Sequence, residues 1–193
     1  MKHTLKALIA TGILMTFSIT ANADSDNHHG KKKGEKAQAS HEMSQSVDTS
    51  SPELKRIKSL AGRWTSTTSM FGKKNQRVYT EYQVTSGGSA VLERIFPGTP
   101  HEMVSVYYDN DKGKLTMTHY CLLKNRPTLT LASTTDDSMT LRVTKVEGLK
   151  SKKDPKMGDL KFTFKDKDHL AVSCSGQGEK AKPMTMEYTR VKK

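Results

Sequence analysis

From Trp64 onward, apolar and polar residues alternate one by one along a series of short segments. Alternation with a period of two marks a strand with one buried face, because successive side chains leave a strand on opposite sides. The pattern predicts strands at Trp64–Phe71, Arg77–Thr85, Ala90–Phe96, Glu102–Asp109, Lys114–Leu122, Thr128–Ser133, Met139–Glu147, Leu160–Phe164, Leu170–Cys174 and Pro183–Val191. Turn chemistry separates several of them: Gly72-Lys73-Lys74-Asn75, Ser86-Gly87-Gly88-Ser89, Asn110-Asp111-Lys112-Gly113, Thr135-Asp136-Asp137 and Asp166-Lys167-Asp168. Gly148–Gly158 reads as a longer, lysine-rich loop. Short strands at this close spacing belong to sandwiches and barrels, and no second helical pattern of usable length interrupts them, which excludes βαβ architecture.

One helix precedes the strands. Ser50-Ser51-Pro52-Glu53 is a serine cap followed by proline in the first turn, a helix start. Leu54, Ile57 and Leu60 fall on one stripe, and Gly62 ends the run. Gly62-Arg63-Trp64 follows, holding the one tryptophan of the chain. A meander closed into a cylinder leaves no exposed sheet edge, and a cylinder of eight to ten strands is wide enough inside for one small ligand. The expected fold is all-β: a single antiparallel up-and-down barrel of about nine or ten strands, plugged by the short helix, with the indole packed over its floor and its N–H bonded.

Several blocks carry a resemblance. Leu60-Ala61-Gly62-Arg63-Trp64, Gly87-Gly88-Ser89-Ala90 with Glu93, Phe96-Pro97-Gly98-Thr99-Pro100-His101-Glu102-Met103, and Leu115-Thr116-Met117-Thr118-His119-Tyr120-Cys121 with Asn125 and Pro127 resemble an uncharacterised bacterial family of lipocalin-like, calycin-type barrels. The resemblance spans Pro52 to Val191. It implies a small barrel and no established activity. Two departures stand out: Arg126 occupies a position where glutamine is more usual, and the strand ending at Cys174 lacks an aromatic residue.

The best chemical side chains sit on the hairpin Glu102–Leu122. Leu115, Met117, His119 and Cys121 share one face of its second strand, so an imidazole and a thiol stand two residues apart on an otherwise apolar face. His101 opens the partner strand, and Glu93 shares a face with Val91 and Ile95 on the strand before. Three readings follow. One is a polar network at the barrel mouth that satisfies its own buried groups. A second is a lining that orients a small apolar or amphipathic ligand, with His119, Glu93, Met117, Cys121, Tyr82 and Trp64 as the binding residues. A third is a periplasmic metal or haem site using His119 with Cys121, His101 or Met117, or a thiol–imidazole pair for nucleophilic chemistry. No spacing is diagnostic, no serine elbow or carboxylate pair is visible, and no cofactor is named by a motif. The leading functional expectation is a non-catalytic small-ligand-binding barrel.

Composition adds location and charge. Met1 to Lys6 is basic, Ala7 to Ile19 is apolar, and Ala21-Asn22-Ala23 is a small-x-small cleavage site before Asp24. These are the three parts of a Sec-type signal peptide, too short in its apolar part to span a bilayer. Residues 24–51 form a polar tail containing His28, His29, His41 and Lys31-Lys32-Lys33, expected to be disordered. Residues 52–193 form the barrel domain, and the protein is expected in the periplasm or secreted. The barrel segment carries 26 basic against 15 acidic residues. That balance is read first as lysines scattered over outward strand faces and edges, where they block aggregation, and second as a surface for anionic partners such as nucleic acid, lipid headgroups or cell-wall polymers. Stacking aromatics are not interleaved with the lysines, so no specific nucleic-acid partner is expected. Cys121 and Cys174 are the only cysteines, and the residues leave open whether they pair or remain free thiols, as they leave open the oligomeric state. Ten methionines, most of the barrel's on strands, are read first as core filling.

Overall fold

The computed structural model describes residues 47–178 and 182–192. The leader, most of the polar tail and the His28, His29 and His41 imidazoles lie outside the described residues.

Ten strands form the barrel expected from the alternation. They are β1 (Gly62–Thr68), β2 (Gln76–Thr85), β3 (Ala90–Ile95), β4 (Met103–Asp109), β5 (Leu115–Tyr120), β6 (Arg126–Thr134), β7 (Ser138–Glu147), β8 (Lys156–Phe164), β9 (His169–Gln177) and β10 (Met184–Arg190). Each pairs antiparallel with its sequence neighbours, and β10 returns to β1 through Trp64 and Arg190, closing the sheet. Strand β8 begins earlier than its composition suggests: Lys156 and Met157 are paired with Gln177 and Gly176, where a loop was expected. The reason is Gly158. A β-carbon there would stand 1.7 Å from the Ser175 carbonyl oxygen, so only glycine lets β9 approach at this bulge.

Helix α1 (Pro52–Lys58) closes the end where β4–β5, β6–β7 and β8–β9 turn. Ser51 caps it: its Oγ accepts from the Leu54 amide at 3.0 Å and donates to Asp109 Oδ1 at 2.6 Å. Asp109 therefore ties the helix start to the last residue of β4. Arg56 donates to the carbonyls of Thr135 and Asp136, fixing the same helix to the β6–β7 turn. Leu54, Ile57 and Leu60 are buried on the expected stripe. Trp64 is buried beneath them with its indole N–H on the Leu60 carbonyl at 2.8 Å. The Arg190 guanidinium covers the ring at 4.2 Å and donates to the carbonyls of Ser59 and Ala61.

Packing divides the barrel into two halves. Near the helix, Leu115, Met117, Leu129, Met139, Leu141 and Phe162 are fully buried and fill the interior. Toward the loops at the other end the interior is hollow. Gly158→Ala is expected to lower unfolding free energy in urea by about 3 kcal/mol or more, since the clash is with backbone that cannot step aside. Gly72→Ala, at a turn with φ of +82° and open space around it, is expected to cost only about 1–2 kcal/mol, the left-handed penalty.

Candidate functional site

Cross-strand register builds the site. Tyr82 on β2 lies opposite Glu93 on β3, Glu93 opposite Ser105 on β4, and Ser105 opposite His119 on β5. Directly paired residues point to the same face of a sheet. Four polar side chains on four consecutive strands thus form one inward-facing rung. Tyr107, two residues beyond Ser105 toward the helix, completes the group from below.

The rung is wired internally. The Tyr82 hydroxyl donates to Glu93 Oε1 and the Tyr107 hydroxyl to Oε2, both at 2.7 Å. Ser105 Oγ lies 3.0 Å from His119 Nδ1. Burial raises the Glu93 pKa, and the hydroxyls of Tyr107, Tyr82 and Ser105 act against that rise by favouring the carboxylate. Burial also pushes both tyrosine pKa values well up, with the Glu93 charge adding to it. The His119 pKa falls from 6.5 to about 4 because burial penalises the imidazolium. The imidazole is therefore neutral at physiological pH. The nitrogen turned to Ser105 is Nδ1, and the ring itself lines the cavity.

Above the rung a cavity of about 560 Å³ reaches the loops at the open end. Glu93, Ser105, Tyr107 and His119 line its floor, and the wall is apolar. Sulfur is prominent in that wall: Met70, Met103, Met157, Met184 and Met186 line it, together with Cys121 and Cys174. Both cysteines are free thiols, and burial raises the pKa of each. A raised thiol pKa beside an imidazole of lowered pKa is the reverse of what an activated cysteine nucleophile needs.

The candidate residues separate as follows. His119, Glu93 and Cys121 line the cavity. Tyr82 stands behind Glu93 and acts through it. Met117 is sealed in the packed half, and Trp64 lies under the helix, so neither forms part of the cavity lining. His101 is exposed and stacks on Phe71 at 4.0 Å, outside the cavity lining, because the Pro97–Pro100 corner swings it away from β5. Among the described residues no group of three or more His, Cys, Asp or Glu side chains is placed to hold a metal ion. Ser105 and Tyr107, both central to the rung, carried no signal as isolated residues. Pairing β3 and β4 through the Phe96–Glu102 corner brings Ser105 opposite Glu93, which the sequence pattern alone left unregistered.

Compared with protein families and with curated proteins, the chain matches none.

The two buried titrating groups act on stability with opposite signs. His119 has a lowered folded pKa, so its contribution is full above pH 6.5 and is lost as pH falls through about 4. At 1.36 kcal/mol per unit that loss is about 3 kcal/mol. Glu93 has a raised folded pKa, so its contribution is full below 4.5 and lost as pH rises through the folded value. Urea denaturation between pH 7.5 and pH 3.5 is expected to show a shallower acid loss for His119→Gln than for the wild type. Tyr107→Phe, which leaves Glu93 Oε2 without its donor, is expected to cost about 1–3 kcal/mol in the same denaturation.

Proposed function

We propose that this chain is an exported, non-catalytic, lipocalin-like protein that holds one small apolar or amphipathic molecule in the open half of its barrel. The observation that carries the reading is the division of the interior. Protein side chains fill the helix end, and a hollow of about 560 Å³ with an apolar wall and a polar floor occupies the other. Ligand sites have this composition: mostly apolar area, with a few polar groups that set orientation.

The floor sets what the ligand's polar end must be. Glu93 accepts two phenol hydrogens and is influenced by the Ser105 hydroxyl as a third donor. In the tautomer where the Ser105 proton turns to Glu93, Ser105 accepts from His119 Nδ1–H. That tautomer leaves Nε2 as a bare acceptor on the cavity floor. A ligand bearing a hydroxyl, an amide N–H or a protonated carboxyl matches it; an ionised carboxylate would meet Glu93 and an acceptor nitrogen together, and is disfavoured. The thioethers of the wall suit a ligand of irregular shape, because methionine adjusts its rotamers and is polarizable.

Export is part of the proposal and rests on the leader pattern at Met1–Ala23. N-terminal sequencing of the protein released by a bacterial host is expected to begin at Asp24. Native mass spectrometry of that protein is expected to show an added mass that organic extraction removes. Val172→Phe, which places a ring inside the cavity wall, is expected to cut occupancy about tenfold or more by steric exclusion, while the melting temperature stays within a few degrees of the wild type. An extract with no ligand, together with no uptake of an apolar fluorescent probe by the wild type, would overturn the reading.

A further inference from the structure

An up-and-down barrel sorts its loops by parity, so charge can be compared between its two ends. The loops at the open end are residues 69–75, 96–102, 121–125, 148–155 and 178–183. Their described residues carry seven lysines against two acids, Glu102 and Asp154, a net charge of +5. The loops at the helix end, residues 86–89, 110–114, 135–137 and 165–168 with the segment 191–192, carry five lysines against five aspartates, a net charge of zero, and the helix adds three basic against one acidic residue. Each end therefore carries seven lysines, but the net positive charge is higher around the cavity entrance, +5 against +2 for the helix end with its helix.

Exposed apolar side chains occur at both ends, Val47, Val84 and Val191 at the helix end, but at the open end they adjoin the cavity. Leu122 and Leu123 are 45% and 50% exposed at the tip of the β5–β6 loop, and Met70 is 54% exposed on the β1–β2 loop. The leucines are held out rather than left loose. The Cys121 amide bonds to the Asn125 carbonyl, Lys124 takes a φ of +61°, and the buried Asn125 side chain donates to the Pro155 carbonyl at 3.1 Å. This ties the loop's base to the β7–β8 loop and leaves its two leucines at the rim. The same three side chains also line the cavity. One apolar surface thus runs from the floor of the hollow, over the lip, to the outside, with lysines on either side of it.

We propose that the open end docks on an anionic lipid bilayer, with Leu122, Leu123 and Met70 entering the headgroup layer and the surrounding lysines facing lipid phosphates, so that the ligand passes between membrane and cavity without crossing water. The transfer step rests on the ligand-binding reading; the docking itself does not. Charge alone would also suit a nucleic acid. The entrance lacks the series of stacking platforms that a single strand uses: Phe71 is covered by His101 at 4.0 Å and packs edge-on against Phe96 at 5.1 Å, which leaves Tyr120, 51% exposed at the end of β5, as a lone ring. Aliphatic side chains ringed by lysines suit a bilayer surface instead.

The test uses the full chain, with a reporter that reads the rim alone. Leu122→Trp places an indole at the lip, while Trp64 stays buried and constant. On phosphatidylglycerol-rich vesicles its emission is expected to shift to the blue and to be quenched by lipids brominated near the headgroup; pure phosphatidylcholine vesicles should give neither change. In co-sedimentation, Leu122→Ser with Leu123→Ser, and separately Lys73→Glu with Lys74→Glu and Lys124→Glu, are each expected to weaken vesicle binding about tenfold with unchanged melting temperature, and the glutamate variant, whose residues lie outside the cavity lining, is expected to keep its uptake of an apolar probe in vesicle-free solution. High salt should weaken the wild type. Unaltered Leu122→Trp emission on anionic vesicles overturns the docking, as does equal vesicle binding by the wild type and the serine variant, or tighter binding to an oligonucleotide than to vesicles. Vesicle binding through the rim by a chain that takes up no probe supports the docking and removes only the ligand reading.

Discussion

A carboxyl group placed inside an apolar barrel costs several kcal/mol unless its oxygens are answered, and the two phenols of Tyr82 and Tyr107 answer those of Glu93 at 2.7 Å each. Much of the interior follows from this constraint. The phenols must come from β2 and β4, the two strands flanking β3, so the register of all three is fixed by one residue. A slip of one position on β2 or β4 would turn a donor outward and leave a buried acceptor bare, and a slip of β3 would turn the acceptor outward and leave both phenols bare. Ser105 and His119 extend the same rung onto β4 and β5. The polar row is therefore both a register lock and a boundary, with close-packed side chains below it and open space above.

The two halves answer different physical demands. Below the rung, Leu115, Met117, Leu129, Met139, Leu141 and Phe162 are sealed beneath the helix, and burial of that kind dominates the stability of a domain this size. The helix belongs to the same half: Ser51 with Asp109, and Arg56 with the Thr135 and Asp136 carbonyls, pin it to turns at that end. Above the rung the walls are held apart by closed backbone pairing rather than by side chains meeting in the middle. A closed ring of hydrogen bonds needs no packed centre to keep its diameter. This is how one chain combines a stable cylinder with an unfilled hollow.

Alternation made the strands legible, and turn chemistry placed most of their ends, because both are local properties. The Ser51-Pro52 start and the Leu54, Ile57, Leu60 stripe marked the helix for the same reason. Lys156 and Met157 were hidden among lysines, and only the close approach of Ser175 to Gly158 explains why that segment pairs. The site was legible in its letters but not in its grouping. Glu93 and His119 stood out as polar residues on apolar faces. His101 stood out equally, yet the corner before it turns its ring onto Phe71. Met117 and Cys121 share a strand face, and depth along the barrel axis alone puts one in the packed half and the other at the rim. Axial depth is a non-local quantity, set by the stagger of strands around the cylinder, and a period-two pattern carries no record of it.

The placement of sulfur has a chemical corollary. Met70, Met103, Met157 and Met184 stand at the entrance, while Met117 and Met139 have no exposed surface at all. Conversion of a thioether to its sulfoxide turns a supple apolar group into a polar one. An oxidant arriving from outside would reach the entrance set first and roughen the hollow's wall with polar oxygens, while the sealed pair beneath kept the cylinder intact. Oxidative damage to this protein would begin at the lining of the hollow, with the shape of the molecule surviving it.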